Sequence, residues 1–295
     1  MNTLADDIKK GIVLISDGAW GTFLQDKGLA PGECPELWNL ERPEDVLAIA
    51  RSYIDAGSDM IETNSFGGNS FKLSPYGLAS KVTEINKAAA RISRKAAGNN
   101  RHVLGSLGPT GKILLMGDVT VEELYEAFRE QAVALYEGGA DALVIETMSD
   151  LDESRAAVKA CKENTSAEVL CTMTFEKTAD NTFHTMMGVT PSEMTREMLR
   201  AGADIIGANC GNGIQNMIGI VREIRSIDNS IPVLIHANAG APVYQDGKTI
   251  YPETPEQMGA YVKTLIDAGA NIIGGCCGTT PEHIRKIVDL VKKYL

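Results

Sequence analysis

The sequence predicts an α/β fold, a single (β/α)8 TIM barrel occupying residues 1–295. Eight short apolar runs recur along the chain, each fit for a strand buried on both faces. Segments with helical period separate them. Val46, Ile49, Ala50, Tyr53 and Ile54 follow the i, i+3, i+4, i+7 pattern, and Ile284, Ile287, Val288 and Val291 repeat it near the end. Four echoes, Ala56-Gly57-Ser58-Asp59, Gly138-Gly139-Ala140-Asp141, Ala201-Gly202-Ala203-Asp204 and Ala268-Gly269-Ala270-Asn271, each close a helix with a C′ glycine and feed the next strand. An open doubly wound sheet is the weaker alternative, because no G-x-G-x-x-G follows the first strand.

A lead helix over 3–10 precedes the first run, 12–15, which ends in Asp17-Gly18-Ala19-Trp20-Gly21-Thr22, where glycines allow a tight turn. The second run, Met60-Ile61, enters Glu62-Thr63-Asn64; the third, 103–107, enters Gly108-Pro109-Thr110-Gly111; the fourth, 142–145, enters Glu146-Thr147. The fifth is 170–173. The sixth, 205–208, enters Asn209-Cys210; the seventh, 233–235, enters His236-Ala237-Asn238; and the eighth, 272–273, enters Gly274-Gly275-Cys276-Cys277-Gly278. Helix starts are marked as well. Thr120-Val121-Glu122-Glu123 is a capping box. Thr190-Pro191, Thr254-Pro255 and Thr280-Pro281 each put Thr at N-cap and Pro at the first helical position. The least regular stretch is the polar loop 175–187, and no linker or low-complexity segment divides the chain.

Hydrophobic residues make up 44% and charged residues 23%, as in soluble globular proteins. A net charge of −11 argues against nucleic-acid binding, which needs clustered Lys and Arg. No apolar stretch approaches the ~20 residues of a membrane span. The N-terminus carries Asp6 and Asp7 before a short apolar run, so no signal peptide is expected. Six cysteines without a secretion signal then point to free thiols in a reducing cytoplasm.

In such a barrel the reactive groups gather at the C-terminal ends of the strands. That rule brings together Asp17, the Glu62-Thr63-Asn64 group, Glu146, Cys210, Asn238, Cys276 and Cys277. Neighbouring side chains on a strand face opposite ways, so adjacent thiols can share a site only where the strand ends. A disulfide between sequence neighbours would be strained. With strands ~5 Å apart, Cys210 reaches across one strand to Cys276 and Cys277. Three thiolates favour Zn2+ over Mg2+ or Ca2+, and three protein ligands leave a coordination position for substrate, as at catalytic zinc. So electron-rich a site is a poor Lewis acid toward a carbonyl. It suits holding a thiol, of ordinary pKa ~8.5, as a nucleophilic thiolate. Asp17 and Glu146 would hold a cation such as an α-ammonium. Backbone N–H groups of the turn 18–21, Ala19 included, would take its carboxylate. A thiol amino acid satisfies both ends. Cys34, Cys161 and Cys171 lack such context and read as ordinary thiols. His102, His184, His236 and His283 read as surface or satisfied histidines, none of them a metal ligand. Met186 and Met187 either line the donor side or fill space.

In these motifs, taken together over nearly the whole chain, the sequence resembles the homocysteine S-methyltransferase family. The likeness is strongest to the branch of homocysteine-binding modules of cobalamin-dependent methionine synthases. The resemblance implies a (β/α)8 barrel with Zn2+ on Cys210, Cys276 and Cys277. It implies homocysteine as methyl acceptor, its thiol being the fourth ligand, and Asn238 taking that position when substrate is absent. Asp17 and Glu146 match positions that hold the amino acid end, and Ala19 and Thr63 are counted with them as substrate-binding. The chain ends one helix after the cysteine pair, so folate and cobalamin modules, and the C-terminal arm of the betaine-dependent branch, are expected to be absent. The expected donor is methylcobalamin on a separate corrinoid protein. The nearest variants use S-methylmethionine, S-adenosylmethionine or a betaine-like onium compound. An alternative of another class is a non-catalytic docking subunit for a corrinoid protein, with a structural zinc.

Overall fold

In the computed structural model, which describes residues 3–245 and 248–294, the eight apolar runs become eight parallel strands. They are β1 (Leu14–Ile15), β2 (Met60–Glu62), β3 (His102–Leu107), β4 (Ala142–Met148), β5 (Glu168–Met173), β6 (Ile205–Gly213), β7 (Val233–Asn238) and β8 (Ile272–Gly275). The ladder runs β1-β8-β7-β6-β5-β4-β3-β2. The seam between β1 and β2 closes through Asp59 N–H to Ile15 O at 2.7 Å, Ile15 N–H to Asp59 Oδ2 at 2.9 Å, and Glu62 N–H to Asp17 Oδ2 at 2.9 Å. The sheet is a TIM barrel, not an open doubly wound sheet. Around it lie α1 (Pro43–Ala56), α2 (Val82–Ala97), α3 (Val121–Gly138), α4 (Leu151–Asn164), α5 (Pro191–Ala201), α6 (Ile214–Ile227), α7 (Val262–Ala268) and α8 (Pro281–Tyr294). Met1 and Asn2, part of the acidic segment read against a signal peptide, lie outside the described residues. Among those residues, no helix is long and apolar enough to cross a membrane.

The fourfold echo does more than end helices. Its glycines do sit at the left-handed caps of α1, α3, α5 and α7, with φ of 104°, 111°, 91° and 110°. The acid or amide that follows clasps the floor of the barrel. Asp59, Asp141, Asp204 and Asn271 accept an N–H from the first or second residue of the preceding odd strand, at Ile15, Val103, Val169 and Val233, at 2.8–2.9 Å. Each also meets a cation: Arg101, Arg94, Lys162 and Arg225 respectively. Replacing Asp204 with Ala leaves the Val169 N–H without its partner. It is expected to lower unfolding free energy by about 1–3 kcal/mol, read from the urea midpoint; a shift under a few tenths would show that the clasp is dispensable.

Inside the strands, Leu14, Met60, Leu104, Val144, Leu170, Ile205, Leu234 and Ile272 form a core of their own. The lead helix, Leu4–Lys9, stoppers it with Leu4, and the Leu4 and Ala5 N–H groups donate to Glu168 at 2.6 and 2.9 Å. A larger core fills the space between strands and helices. The capping boxes at Thr120, Thr190 and Thr254 are formed. At Thr280 the glutamate's part is taken by His283, whose Nδ1 accepts the Thr280 N–H at 3.2 Å. Two expectations need correcting. The first strand begins at Leu14, since Ile12 is 44% exposed where the chain leaves the lead helix. The loop 175–187 holds an antiparallel hairpin, Glu176–Lys177 with Phe183–His184. A second hairpin, Val243–Gln245 with Lys248–Ile250, follows β7.

Candidate functional site

Two irregular strands aim the polar residues at the mouth. Along β4 and β5 the register passes from Ile145↔Cys171 to Met148↔Met173, so three steps on β4 face two on β5. Along β6 and β7 it passes from Asn209↔His236 to Gly213↔Asn238, four steps against two. Such bulges re-aim side chains beside functional sites. The first carries Glu146 and Thr147, the second Cys210. Thr147 and Cys210 hold φ of 61° and 58°, left-handed values that cost a non-glycine residue of order 1 kcal/mol or more. Both line a cavity of about 270 Å3 at the mouth.

On one wall the strand β8 ends at Gly275, and Cys276 and Cys277 sit in the turn that follows. The turn is stitched down by Cys276 N–H to Ala237 O at 2.7 Å and Ala239 N–H to Cys277 O at 3.0 Å. The three sulfurs of Cys210, Cys276 and Cys277 lie within 4.8 Å of one another, with Cys210–Cys277 at 3.9 Å and Cys276–Cys277 at 4.0 Å. Sulfurs each ~2.3 Å from one tetrahedral zinc ion would stand ~3.8 Å apart, so the donor set fits that ion. The neighbouring thiols donate to Cys210 and hold its thiol down to about 3. The same hydrogen bonds push Cys276 well above its ordinary value and Cys277 up to about 11. Alone, then, the cluster carries one negative charge; three thiolates need a cation among them. Asn238 lies close enough to Cys210 to help hold its thiol down, and its Oδ1 is buried without a partner, as an oxygen able to turn to a metal would be.

On the other wall three carboxyls are buried together. Burial pushes Asp17 up to about 6, against hydrogen bonds from Glu62 N–H, Trp20 and Ser16. Burial also lifts Glu146 to about 7, against the hydroxyl of Ser106, with Asp17 and Cys210 raising it further. Glu62 is held well above its usual range by burial, then by Glu146 and Asp17. Its Oε1 lacks a hydrogen bond, although His236 Nδ1 lies 3.4 Å away. Burial holds His236 itself down to about 4, so the histidine does not supply the missing charge. Among the described residues, no Lys or Arg lines the cavity. A pocket of buried acids without a cation is an unfinished ion pair, and a substrate ammonium would finish it.

Asp17, Ala19, Thr63, Glu146, Cys210, Cys276 and Cys277 thus meet at one mouth, with Asn238 against the sulfurs. Two details differ from expectation. The Ala19 N–H is already bonded to Thr279 Oγ1 at 3.1 Å, so it is not free to take a carboxylate. The Thr63 hydroxyl is bonded to Ser65 and to the Ser106 N–H, which makes it a brace for β2 and β3. His236 is neither at the surface nor satisfied: it is 2% exposed and its Nε2 has no partner. Met186, 83% exposed, stands outside the cavity. The pairing of His236 with Glu62 could have been suspected from their common place at strand ends.

Fold and site together define a (β/α)8 barrel whose mouth joins a three-sulfur cluster to a nest of buried acids. The family model described as homocysteine S-methyltransferase matches residues 14–291, and the chain belongs to that family. It is 33% identical to methionine synthase of Mycobacterium leprae, over 95% of this chain and 24% of that protein. To methionine synthase of Mycobacterium tuberculosis it is 32% identical, over 97% and 25%. It therefore spans about a quarter of the length of these curated relatives. Its fold matches the metallated homocysteine methyltransferase MmuM from Escherichia coli with a TM-score of 0.79 at 23% identity, covering 97% of this chain and 99% of that one.

Proposed function

We propose that this chain moves a methyl group to the thiol of homocysteine, giving methionine, with Zn2+ held by Cys210, Cys276 and Cys277. The observation that carries the reading is one cavity lined by the three sulfurs and by Glu62 and Glu146, with the Asp17 carboxyl buried behind it. A thiol amino acid presents a sulfur to the first group and an ammonium to the second. When bound, the zinc would take the incoming thiol as a ligand and keep it a thiolate below its ordinary pKa of ~8.5.

The rest falls to the chain's own side chains. Asp17 is aimed by the Trp20 indole N–H and the Glu62 N–H, both at 2.9 Å. Glu146 is aimed by Ser106 and by the Asn209 amide at 3.4 Å. Both carboxyls give up a proton near neutral pH and face the substrate ammonium as anions. Trp20, Leu24 and Phe66 keep water from the sulfur that attacks the methyl carbon. Asn238 would yield its place beside Cys210 as substrate arrives. Six free cysteines suit a reducing compartment such as the cytoplasm.

For the donor we favour methylcobalamin carried by a separate corrinoid protein. The methionine synthase relatives support it, and so does an apolar collar. Phe66, Ile113, Leu115, Met116, Met186 and Tyr244 are exposed on loops that follow β2, β3, β5 and β7. A protein-borne donor would cover such a rim, whereas a small onium compound would leave it wet. The test holds homocysteine fixed and compares free methylcobalamin, a methylated corrinoid protein, S-methylmethionine and betaines. About one zinc per chain and fastest turnover with the corrinoid protein are expected. Undiminished turnover after complete chelation would remove the zinc reading, and preference for an onium donor the cobalamin one.

A further inference from the structure

Tyr251 follows the hairpin after β7, and nothing in Ile250-Tyr251-Pro252 marks it as part of a site. The fold nevertheless seats it at the sulfur cluster. Glu253, two residues on, donates its N–H to Ala239 O at 3.0 Å, and Ala239 N–H donates to Cys277 O at 3.0 Å. The Glu253 carbonyl meets His283 Nε2 at 2.9 Å. The segment 251–253 is thus tied both to the end of β7 and to the first turn of α8, on either side of the cysteine turn. Tyr251 lies against Gly278: a Cβ built there would stand 2.2 Å from Tyr251 Cβ and 2.4 Å from its Cγ. Gly278 also has φ of +80°, so a side chain is refused there on two counts. From this seat the Tyr251 ring stands beside the residue that follows Cys277, and burial, then the charge of the Cys277 sulfur, push its hydroxyl above the usual tyrosine range.

We propose that Tyr251 is a positioning residue of the metal centre: its hydroxyl donates to Cys277 Sγ, fixes that sulfur beside Cys210, and links the hairpin Val243–Gln245/Lys248–Ile250 to the centre. The inference rests on the metal reading given above. A hydrogen bond donated to a ligand sulfur restrains its direction and draws off part of its charge, so the ion it binds stays more electrophilic. The hairpin, with Tyr244 78% exposed on it, lies beside the mouth, and whatever moves the hairpin also pulls on this hydrogen bond.

The test uses the full chain and two metal probes: Zn2+ in competition with a chromophoric chelator, and Co2+ read by absorption. Tyr251→Phe keeps the ring on Gly278 and removes only the hydroxyl. It is expected to weaken zinc binding ~10- to 100-fold, the usual effect of losing a partner behind a metal ligand. The sulfur-to-cobalt charge-transfer band should move to lower energy, because a sulfur relieved of its hydrogen bond gives up electrons more easily. Unchanged affinity and an unchanged band would overturn the proposal. So would Tyr244→Phe producing the same changes, since the effect would then belong to the hairpin as a whole. A wild-type chain that takes up neither metal would sink the metal reading instead. Tyr251 is then tested in the metal-free chain by 13Cζ labelling of its 8 tyrosines. One resonance should move on Cys277→Ala, and none moving overturns the contact. The same measurement decides the matter if Tyr251→Phe does not fold.

Discussion

Replacing Cys210, Cys276 or Cys277 with alanine, one at a time, is expected to take bound zinc from about one per chain to background. Turnover with homocysteine should fall ~10^3-fold or more, which at 1.36 kcal/mol per tenfold is ~4 kcal/mol of lost transition-state stabilisation. The reason lies in the charge of the cluster. Its sulfurs stand 3.9 and 4.0 Å apart on two of their edges, and with one gone the remaining pair no longer encloses a tetrahedral ion. Cys210 offers an internal control. At φ of 58° it occupies a conformation that glycine adopts freely, so Cys210→Gly should equal Cys210→Ala in losing metal while unfolding at a higher urea concentration, by about 1 kcal/mol. Metal content by atomic emission and turnover with a methylated corrinoid protein measure both. A single-cysteine variant that keeps zinc and full turnover would refute the assignment.

Asp17→Asn and Glu146→Gln are expected to raise the KM for homocysteine ~30- to ~5 × 10^3-fold, because truncating one partner of a buried charge pair costs about 2–5 kcal/mol. The same variants should be more stable than the parent in the absence of substrate. The folded-state values of about 6 and about 7 lie above the ordinary 3.8 and 4.5, so between pH ~4 and ~7 the folded protein binds more protons than the unfolded chain. The stabilisation from these carboxyls is then fully present below pH ~4 and lost as pH rises through 6 and 7. About two pKa units is of order 3 kcal/mol per carboxyl. Urea midpoints measured across that window should decline more steeply with pH in the parent than in Asp17→Asn or Glu146→Gln. Parallel curves would mean that these acids are already neutralised inside the fold.

Asp59, Asp141, Asp204 and Asn271 illustrate how far the sequence could be read. Their echo after each C′ glycine marks where alternate strands begin, and with it the eightfold alternation of the barrel. Their bonds to strand N–H groups 35 to 44 residues away leave no local signal, because hydrogen-bond partners across a barrel carry no fixed spacing. The cysteine pair was legible for the opposite reason: adjacent thiols among glycines at the end of an apolar run have few other uses. Ala19 lies at the mouth as expected, but its N–H is already bonded to Thr279, 260 residues on, a partner that no turn motif names. Tyr251 had no signal at all, since its place depends on Gly278 being bare.

The order of apolar runs, the helix caps and the strand-end residues were determined by the sequence alone, because period and capping act within a few residues of chain. The tertiary structure decided which polar atoms at the mouth are left without partners, Glu62 Oε1, His236 Nε2 and Asn238 Oδ1 among them. Satisfaction of a buried group depends on everything that surrounds it in space, and strands distant in the chain supply those surroundings.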